Sequence, residues 1–244
     1  MPDFIKKGRV PAVKNAVLIE GLPGIGNVSR ISVEFLIDKL KAKKVCEIYS
    51  NKFPNSVIVD DSSLVKLFKV ELYHAKIRSR DLLLLSGDCQ PASEKDNYEL
   101  SEFLINLIRK QVSELITLGG IGYPNLVKSP KIHCVVNNPI LKKRLSKLNV
   151  VFDGNKTVRL IIGAAGLLLG LGSLYDINGF SLLVETFNHP QYVGIEESRE
   201  LLNVLIDYLG VKISLKDLDD EIKGINEGLK KELKAKPDKQ SYIG

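Results

Sequence analysis

The residues of this chain that could do chemistry lie in short loops that follow apolar runs. The first loop, Gly21 to Asn27, reads Gly-Leu-Pro-Gly-Ile-Gly-Asn. Backbone amides in such a loop can hold a phosphate at the start of a helix. The dinucleotide fingerprint needs a third glycine where Ser29 stands, and no Lys-Ser/Thr pair follows for a nucleotide P-loop. A tight strand-to-helix turn that requires glycine explains the same residues, and we expect this structural role.

A second group of candidates is Ser86-Gly87-Asp88, at the end of a predicted central strand. Ligands of open α/β sheets bind beyond the carboxyl ends of the strands. Because residues 119–122 (Gly-Gly-Ile-Gly) end another strand, both loops are expected to line one crevice. Ser86 lacks the G-x-S-x-G turn of a serine nucleophile. The alternative to a ligand site is ordinary turn chemistry with a helix cap.

The third candidate is the loop Glu185-Thr-Phe-Asn-His189-Pro. A glutamate and a histidine on one loop could serve acid–base catalysis. The other histidines, His74 and His133, stand far away in sequence, and no carboxylate–histidine spacing suits a metal. The alternative is a structural histidine before a proline. We therefore predict a binding protein rather than an enzyme, with no catalytic residue, no cofactor and no metal.

The composition of the chain limits the classes of partner that it is expected to bind. The net charge of +6 comes from 35 basic and 29 acidic groups spread along the chain, whereas nucleic-acid binding needs a concentrated basic face. The odd cysteine count (Cys46, Cys89, Cys134) argues against a disulfide framework. The longest apolar run, 160–172, is too short to span a bilayer, and residues 1–9 contain no apolar stretch typical of a signal peptide. We expect a cytoplasmic protein with no nucleic-acid or membrane partner.

Strand and helix patterns alternate along residues 1–212, which we predict to form one α/β domain. Buried strands are predicted at 16–19, 45–49, 82–85, 114–118, 132–136 and 180–185, and one or two antiparallel strands within 57–77. Helices are predicted at 28–40, 100–108, 139–148, 163–174 and 196–209. The alternation favours a mostly parallel sheet flanked by helices.

The last segment follows another pattern. Residues 213–233 are predicted to form a C-terminal helix, and residues 234–244 a flexible polar tail. Five apolar residues at spacings of 3 and 4 form a seam along this helix: Leu215, Leu218, Ile222, Ile225 and Leu229. Such a seam packs on one partner, so we expect it either to hold subunits together or to lock against its own domain.

Five segments, taken in order, are recognisable together. They are 21–27 (GLPGIGN), 86–91 (SGDCQP), 118–122 (LGGIG), 163–170 (GAAGLLLG) and 185–190 (ETFNHP). Over about residues 15–210 the chain resembles the proteasome assembly chaperone 2 family, most closely its archaeal members. The resemblance implies a phosphorylase-like α/β fold and no established reaction.

The resemblance also implies a partner. Archaeal relatives look like homo-oligomers that contact the proteasome α-ring through C-terminal tails. The tail motif of proteasome activators is a hydrophobic residue, tyrosine and any residue with a free carboxylate. Here the chain ends Tyr242-Ile243-Gly244, which places tyrosine third from last rather than second from last. These three residues are the predicted partner-binding site.

The leading hypothesis is therefore a proteasome-binding assembly chaperone or activator that docks its C-terminal tail on the core-particle α-ring. Two alternatives stay open. One is an enzyme that binds a small molecule in the glycine-rich crevice. The other is an oligomeric scaffold without tail function, in which Leu218, Ile222, Ile225 and Leu229 join the subunits.

Overall fold

The structure, a computed structural model, describes residues 2–154 and 156–224. The strands are β1 Phe4–Gly8, β2 Ala16–Glu20, β3 Lys43–Ser50, β4 Val57–Val59, β5 Val65–Leu67, β6 Val70–Ile77, β7 Arg80–Gly87, β8 Val112–Tyr123, β9 Ile132–Val136 and β10 Asn178–Phe187. The helices are α1 Val28–Lys39, α2 Glu94–Ile108, α3 Pro139–Leu145, α4 Ala164–Leu174 and α5 Ile195–Leu209. Residues 216–224 are also helical.

Eight of the described strands form one mixed sheet in the order β1-β3-β6-β7-β2-β8-β10-β9. The four central strands, β7, β2, β8 and β10, run parallel, and every other pairing in this sheet is antiparallel. The prediction of a mostly parallel sheet thus holds for the centre and is wrong for both sides. One reason is the two-residue connection between β6 and β7, since only antiparallel neighbours can be joined by so short a turn.

Inserted antiparallel strands were predicted within residues 57–77, and they are confirmed. β6 pairs antiparallel with both β3 and β7. β4 and β5 form a separate two-stranded hairpin. β1 was not predicted, because its short lysine-containing sequence lacks the apolar run of a buried strand.

The sheet has an apolar core on each face because side chains alternate along its central strands. Leu18 of β2 packs in one core together with α2 and α4. Its neighbours Val17 and Ile19 pack in the other core, with α1, α3 and α5. Both faces of the central strands are covered, which explains their continuous apolar runs.

Two predicted helix boundaries are confirmed by their geometry. Pro139 opens α3 after Asn138, whose side chain accepts a hydrogen bond from the Ile140 amide. Gly210 ends α5 with φ 64°, a left-handed conformation that glycine adopts without strain. These signals are local, so the sequence alone reveals them.

The outer edge of the sheet at β9 is partly covered by the chain itself. Val151 bridges to His133, accepting a hydrogen bond from the Cys134 amide and donating one to the Ile132 carbonyl. Two backbone groups of β9, the Ile132 carbonyl and the Cys134 amide, are therefore engaged on this edge.

None of the helices in the described part of the chain combines the length and apolar character needed to cross a bilayer.

Candidate functional site

A cavity of about 550 Å³ lies at the carboxyl edge of the parallel strands. Its walls come mainly from the loop after β2, the loop after β7, the end of β8 and the segment that leads into α4. This is the position at which open α/β sheets bind ligands. The predicted crevice therefore exists, and it gathers residues from four of the five segments that carry the resemblance.

The glycines of these segments allow the loops to approach one another. A Cβ atom added to Gly120 would lie 2.5 Å from the Ile25 carbonyl oxygen, and one added to Gly26 would lie 2.7 Å from Thr186 Oγ1. Gly26 also has φ 64°, a conformation that disfavours larger residues. The glycine-rich loop is thus packed directly against β8 and β10, as the structural interpretation predicts.

Hydrogen bonds also tie the loops together. The Ser29 hydroxyl donates to the Leu22 carbonyl at 2.6 Å. Gln90 Nε2 donates to the Pro23 carbonyl at 2.7 Å, while its Oε1 accepts from the Ala164 amide at 2.9 Å. One glutamine therefore links the loop after β2 to the start of α4, and it does so from the segment 86–91.

Ser86-Gly87-Asp88 does not line the cavity, so this part of the prediction is wrong. Ser86 is buried at the end of β7. Asp88 turns towards β6, where its Oδ2 accepts from the Lys69 amide at 3.2 Å. The wall is formed instead by the next turn of the loop, residues 90–92, whereas residues 119–122 lie where they were predicted.

Glu20, which the sequence reasoning missed, lies in the wall of the cavity and is 1% exposed. Its Oε1 accepts from the Leu22 amide at 2.8 Å, while its Oε2 has no hydrogen-bond partner in the described structure. Burial raises the pKa of this carboxyl to about 8, and the hydrogen bond from the Leu22 amide, together with the nearby amide of Leu118, offsets only part of that effect. Near neutral pH the group is predominantly a neutral carboxylic acid.

Glu185 belongs to a different cluster. Its Oε1 is 3.1 Å from His133 Nε2 and accepts from the Tyr123 hydroxyl at 3.1 Å, while its Oε2 accepts from the Lys131 amide at 3.1 Å. His133 Nδ1 in turn lies 3.3 Å from Asp153 Oδ1. Burial alone would raise the pKa of Glu185, but the hydrogen bonds from His133, Lys131 and Tyr123 hold it below its ordinary value.

The candidate acid–base pair of Glu185 and His189 is not formed. His189 stacks on Phe187 with ring centroids 5.5 Å apart, and its Nδ1 accepts from the Gln191 amide at 3.3 Å. His133 takes its place because β9 is the neighbour of β10 in the sheet. The contact between Glu185 and His133 could not be predicted from the sequence because the two residues are far apart along the chain. It follows from the pairing of β9 with β10.

The chemistry available at this edge is limited. Glu20 is the only ionisable side chain that lines the cavity in the described structure, so a phosphate would meet no cation there. Among the described residues no group of three or more metal-ligating side chains is present. Burial raises the pKa of Cys89 and of Cys134 to about 12, so neither is an activated thiol.

The first part of the apolar seam packs on its own domain. Leu218 is 5% exposed, and Leu215 and Ile222 pack against the core that contains α1 and α5. Ion pairs join Asp217 to Lys39 of α1 and Asp219 to Arg199 of α5. Ile225, Leu229 and the predicted partner-binding residues Tyr242, Ile243 and Gly244 lie outside the described residues.

Comparison with known proteins gives a consistent assignment. The model of the PAC2 family matches residues 18–233. An uncharacterized protein of Methanocaldococcus jannaschii is 29% identical over 226 residues, which cover 91% of this chain and 84% of that protein.

Two solved structures from Pyrococcus furiosus are similar. PbaB, an archaeal proteasome activator, superimposes with a TM-score of 0.87 at 32% identity over 95% of this chain and 99% of PbaB. PbaA, an archaeal homolog of proteasome-assembly chaperone, superimposes with a TM-score of 0.78 at 22% identity over 94% of this chain and 92% of PbaA. At that identity, the likeness to PbaA concerns the fold alone.

Proposed function

The chain belongs to the PAC2 family, and on that premise we propose that it binds the proteasome core particle as an assembly chaperone or activator. The observation that carries the proposal is the likeness to PbaB, an archaeal proteasome activator, over nearly the full length of both chains. The finer part of the proposal is that the C-terminal tail docks on the α-ring. A cytoplasmic location accompanies such a partner.

The described domain supplies a fixed base for such a tail. Leu218 is buried, and the ion pairs of Asp217 and Asp219 hold the start of the last helical segment on α1 and α5. Twenty residues follow Gly224. The last eleven of them would span about 35 Å if extended, enough for a tail tip to enter a pocket while the domain stays above the ring.

The proposed tip suits a pocket in a protein ring. Tyr242 offers apolar area, a hydroxyl and few rotamers to immobilise. The carboxylate of Gly244 can accept a charge-assisted hydrogen bond from a lysine. A single tail binds weakly because ordering it costs entropy. Several tails on one oligomer would gain avidity of about 10²- to 10⁴-fold.

We also propose that the chain forms homo-oligomers through the seam. Leu218 and Ile222 pack on their own domain, so in this proposal they position the helix. Ile225 and Leu229 continue the same spacing and would contact a second subunit. Light scattering of an Ile225→Asp, Leu229→Asp double variant tests this, and an unchanged mass would contradict it.

The tail is tested by co-sedimentation with assembled core particles. We expect deletion of Tyr242 to Gly244, or Tyr242→Ala, to abolish binding while the melting curve of the domain stays unchanged. Tyr98→Ala is the matched control, because it removes a half-exposed tyrosine from α2 and should leave binding intact. If the truncated chain sediments as fully as the intact one, tail docking is wrong.

Two assays distinguish an activator from an assembly chaperone once the chain is bound to the core particle. An activator should raise peptide hydrolysis by core particles that are already assembled. An assembly chaperone should instead raise the yield of core particles reconstituted from separate α and β subunits. A chain that binds and does neither would contradict both functions.

A further inference from the structure

The proposed proteasome function leaves the cavity at the carboxyl edge of the sheet unused. None of the residues from 213 onward that the structure describes lines it. Its volume of about 550 Å³ falls in the range of small-molecule sites, which are mostly apolar with a few convergent polar groups. The cavity can therefore be judged by its own residues.

Its walls are largely apolar and come from separate segments of the chain. Leu22 and Ile25 follow β2, Leu118 belongs to β8, Ile161 precedes α4 and Leu183 belongs to β10. The backbone carbonyls of Leu22 and Pro23 already accept hydrogen bonds from Ser29 and Gln90. An occupant would thus gain mainly by burying apolar surface.

Two buried polar atoms in the cavity wall lack a partner among the described residues. They are Glu20 Oε2 and Asn97 Oδ1. The opposite ends of both groups are engaged, since Glu20 Oε1 accepts from Leu22 and Asn97 Nδ2 donates to the carbonyls of Pro91 and Ser93. A buried polar group without a partner is costly, so a ligand that reaches either atom from the cavity would satisfy it with a hydrogen bond.

The charge of the wall selects among ligand classes. No lysine, arginine or histidine lines the cavity in the described structure, so the phosphates of a nucleotide or the carboxylate of an acid would be buried without a counter-charge. Glu20 itself is held neutral near pH 7 by its burial. A neutral carboxyl group donates one hydrogen bond through its O–H.

From this geometry we propose that the cavity binds a small, uncharged and largely apolar molecule that accepts a hydrogen bond from the Glu20 carboxyl group. An amide or a ketone carbonyl on a ring-sized apolar body has this chemistry. An N–H group on the same molecule would find its acceptor in Asn97 Oδ1. The site is a binding site, and no bond of the ligand is broken there.

Three matched probes test the ligand class by calorimetry: naphthalene-2-carboxamide, 2-naphthoate and 2-naphthylmethylamine. They share one apolar body and carry a neutral, a negative and a positive head group. We expect saturable binding of the carboxamide, with an affinity that falls as the pH rises above about 8 because the ionised carboxylate no longer donates. Tighter binding of either charged probe, or no saturable binding of any probe, overturns the proposal.

Variants of Glu20 test the contact itself. Glu20→Gln keeps a neutral donor, so it should bind the carboxamide within about threefold of the wild type and lose the decline above pH 8. Glu20→Leu should weaken binding about tenfold, while Glu102→Leu, an exposed glutamate of α2, should not. A decline with pH that persists in Glu20→Gln overturns the role of Glu20 even if Glu20→Leu does not fold. Deletion of Tyr242 to Gly244 should leave probe binding intact, so this proposal and tail docking fail independently.

Discussion

Two glutamates at the same edge of the sheet have opposite surroundings. Glu185 of β10 receives hydrogen bonds at both carboxylate oxygens and is 12% exposed at its side chain. Glu20 of β2 is more deeply buried, and one of its oxygens has no partner in the described structure. The first is therefore held as an anion and the second as a neutral acid.

The comparison shows which of the two carboxyl groups has its hydrogen-bond partners within the protein and which does not. Around Glu185 the donors Tyr123, Lys131 and His133 satisfy the carboxylate, so nothing further is needed there. Glu20 lines a cavity with largely apolar walls, and its Oε2 has no partner in the described structure. A ligand is thus expected at the acid whose partners are missing, rather than at the one that most resembles a catalytic pair.

The pH dependence of the free energy of unfolding should distinguish the two glutamates most clearly. The pKa of Glu20 rises on folding from an ordinary 4.5 to about 8, so the folded state binds more protons between these values. Stability should then fall with rising pH by about 1.4 kcal/mol per pH unit in that window. Urea unfolding from pH 5 to 8 should show that Glu20→Gln removes this decline.

Glu185 should behave in the opposite way. Its pKa is lowered on folding, so its contribution is present above the unfolded pKa and is lost as the pH falls through the folded pKa. If Glu20→Gln leaves the slope between pH 5 and 8 unchanged, Glu20 is ionised in the fold and the contrast between the two acids is wrong.

The next largest effect on the free energy of unfolding is expected when each glutamate is replaced by glutamine at pH 5. Glu185→Gln replaces one acceptor oxygen with an amide that faces a donor, so we expect a loss of about 3 kcal/mol in the free energy of unfolding. Glu20→Gln replaces a neutral acid with a neutral isostere and should cost less than about 1 kcal/mol. Chemical unfolding of both variants at one protein concentration checks this. Equal costs would show that the two sites do not differ.

A smaller effect is expected at the glycine between the two clusters. Gly120→Ala would place a Cβ atom 2.5 Å from the Ile25 carbonyl oxygen and 2.8 Å from Thr186 Cγ2, so we expect a loss of about 2 kcal/mol. Gly24→Ala is the matched control, because its Cβ would meet only Ser29 Oγ at 4.0 Å. Thermal melting compares the two. A tolerated Gly120→Ala would remove the packing explanation for these glycines.

The central strands were predictable because they are continuous apolar runs, as in residues 82–85 of β7. The order of the strands was not, because hydrophobic periodicity does not say which strand lies beside which. Glu20 was missed since a single charged residue at the end of an apolar run looks like the start of a loop. The phosphorylase-like class and the division at residues 212 and 233 stay predictions.

The site shows the same division between local and long-range information. The glycine-rich loop and residues 119–122 were placed correctly because each follows a strand whose carboxyl end is recognisable. The partner of Glu185 was not, because His133 reaches it only through the pairing of β9 with β10. Local signals identify loops, whereas contacts between strands need the topology.

The backbone of Val151 along β9 has a consequence for how copies of this chain can associate. It occupies two of the outward hydrogen-bonding positions of the edge strand β9, so a strand from another chain cannot pair with β9 at those two positions. Open edges are where chains join into endless ribbons. Because Val151 already occupies part of this edge, the addition of a strand from another copy is disfavoured on that side of the sheet.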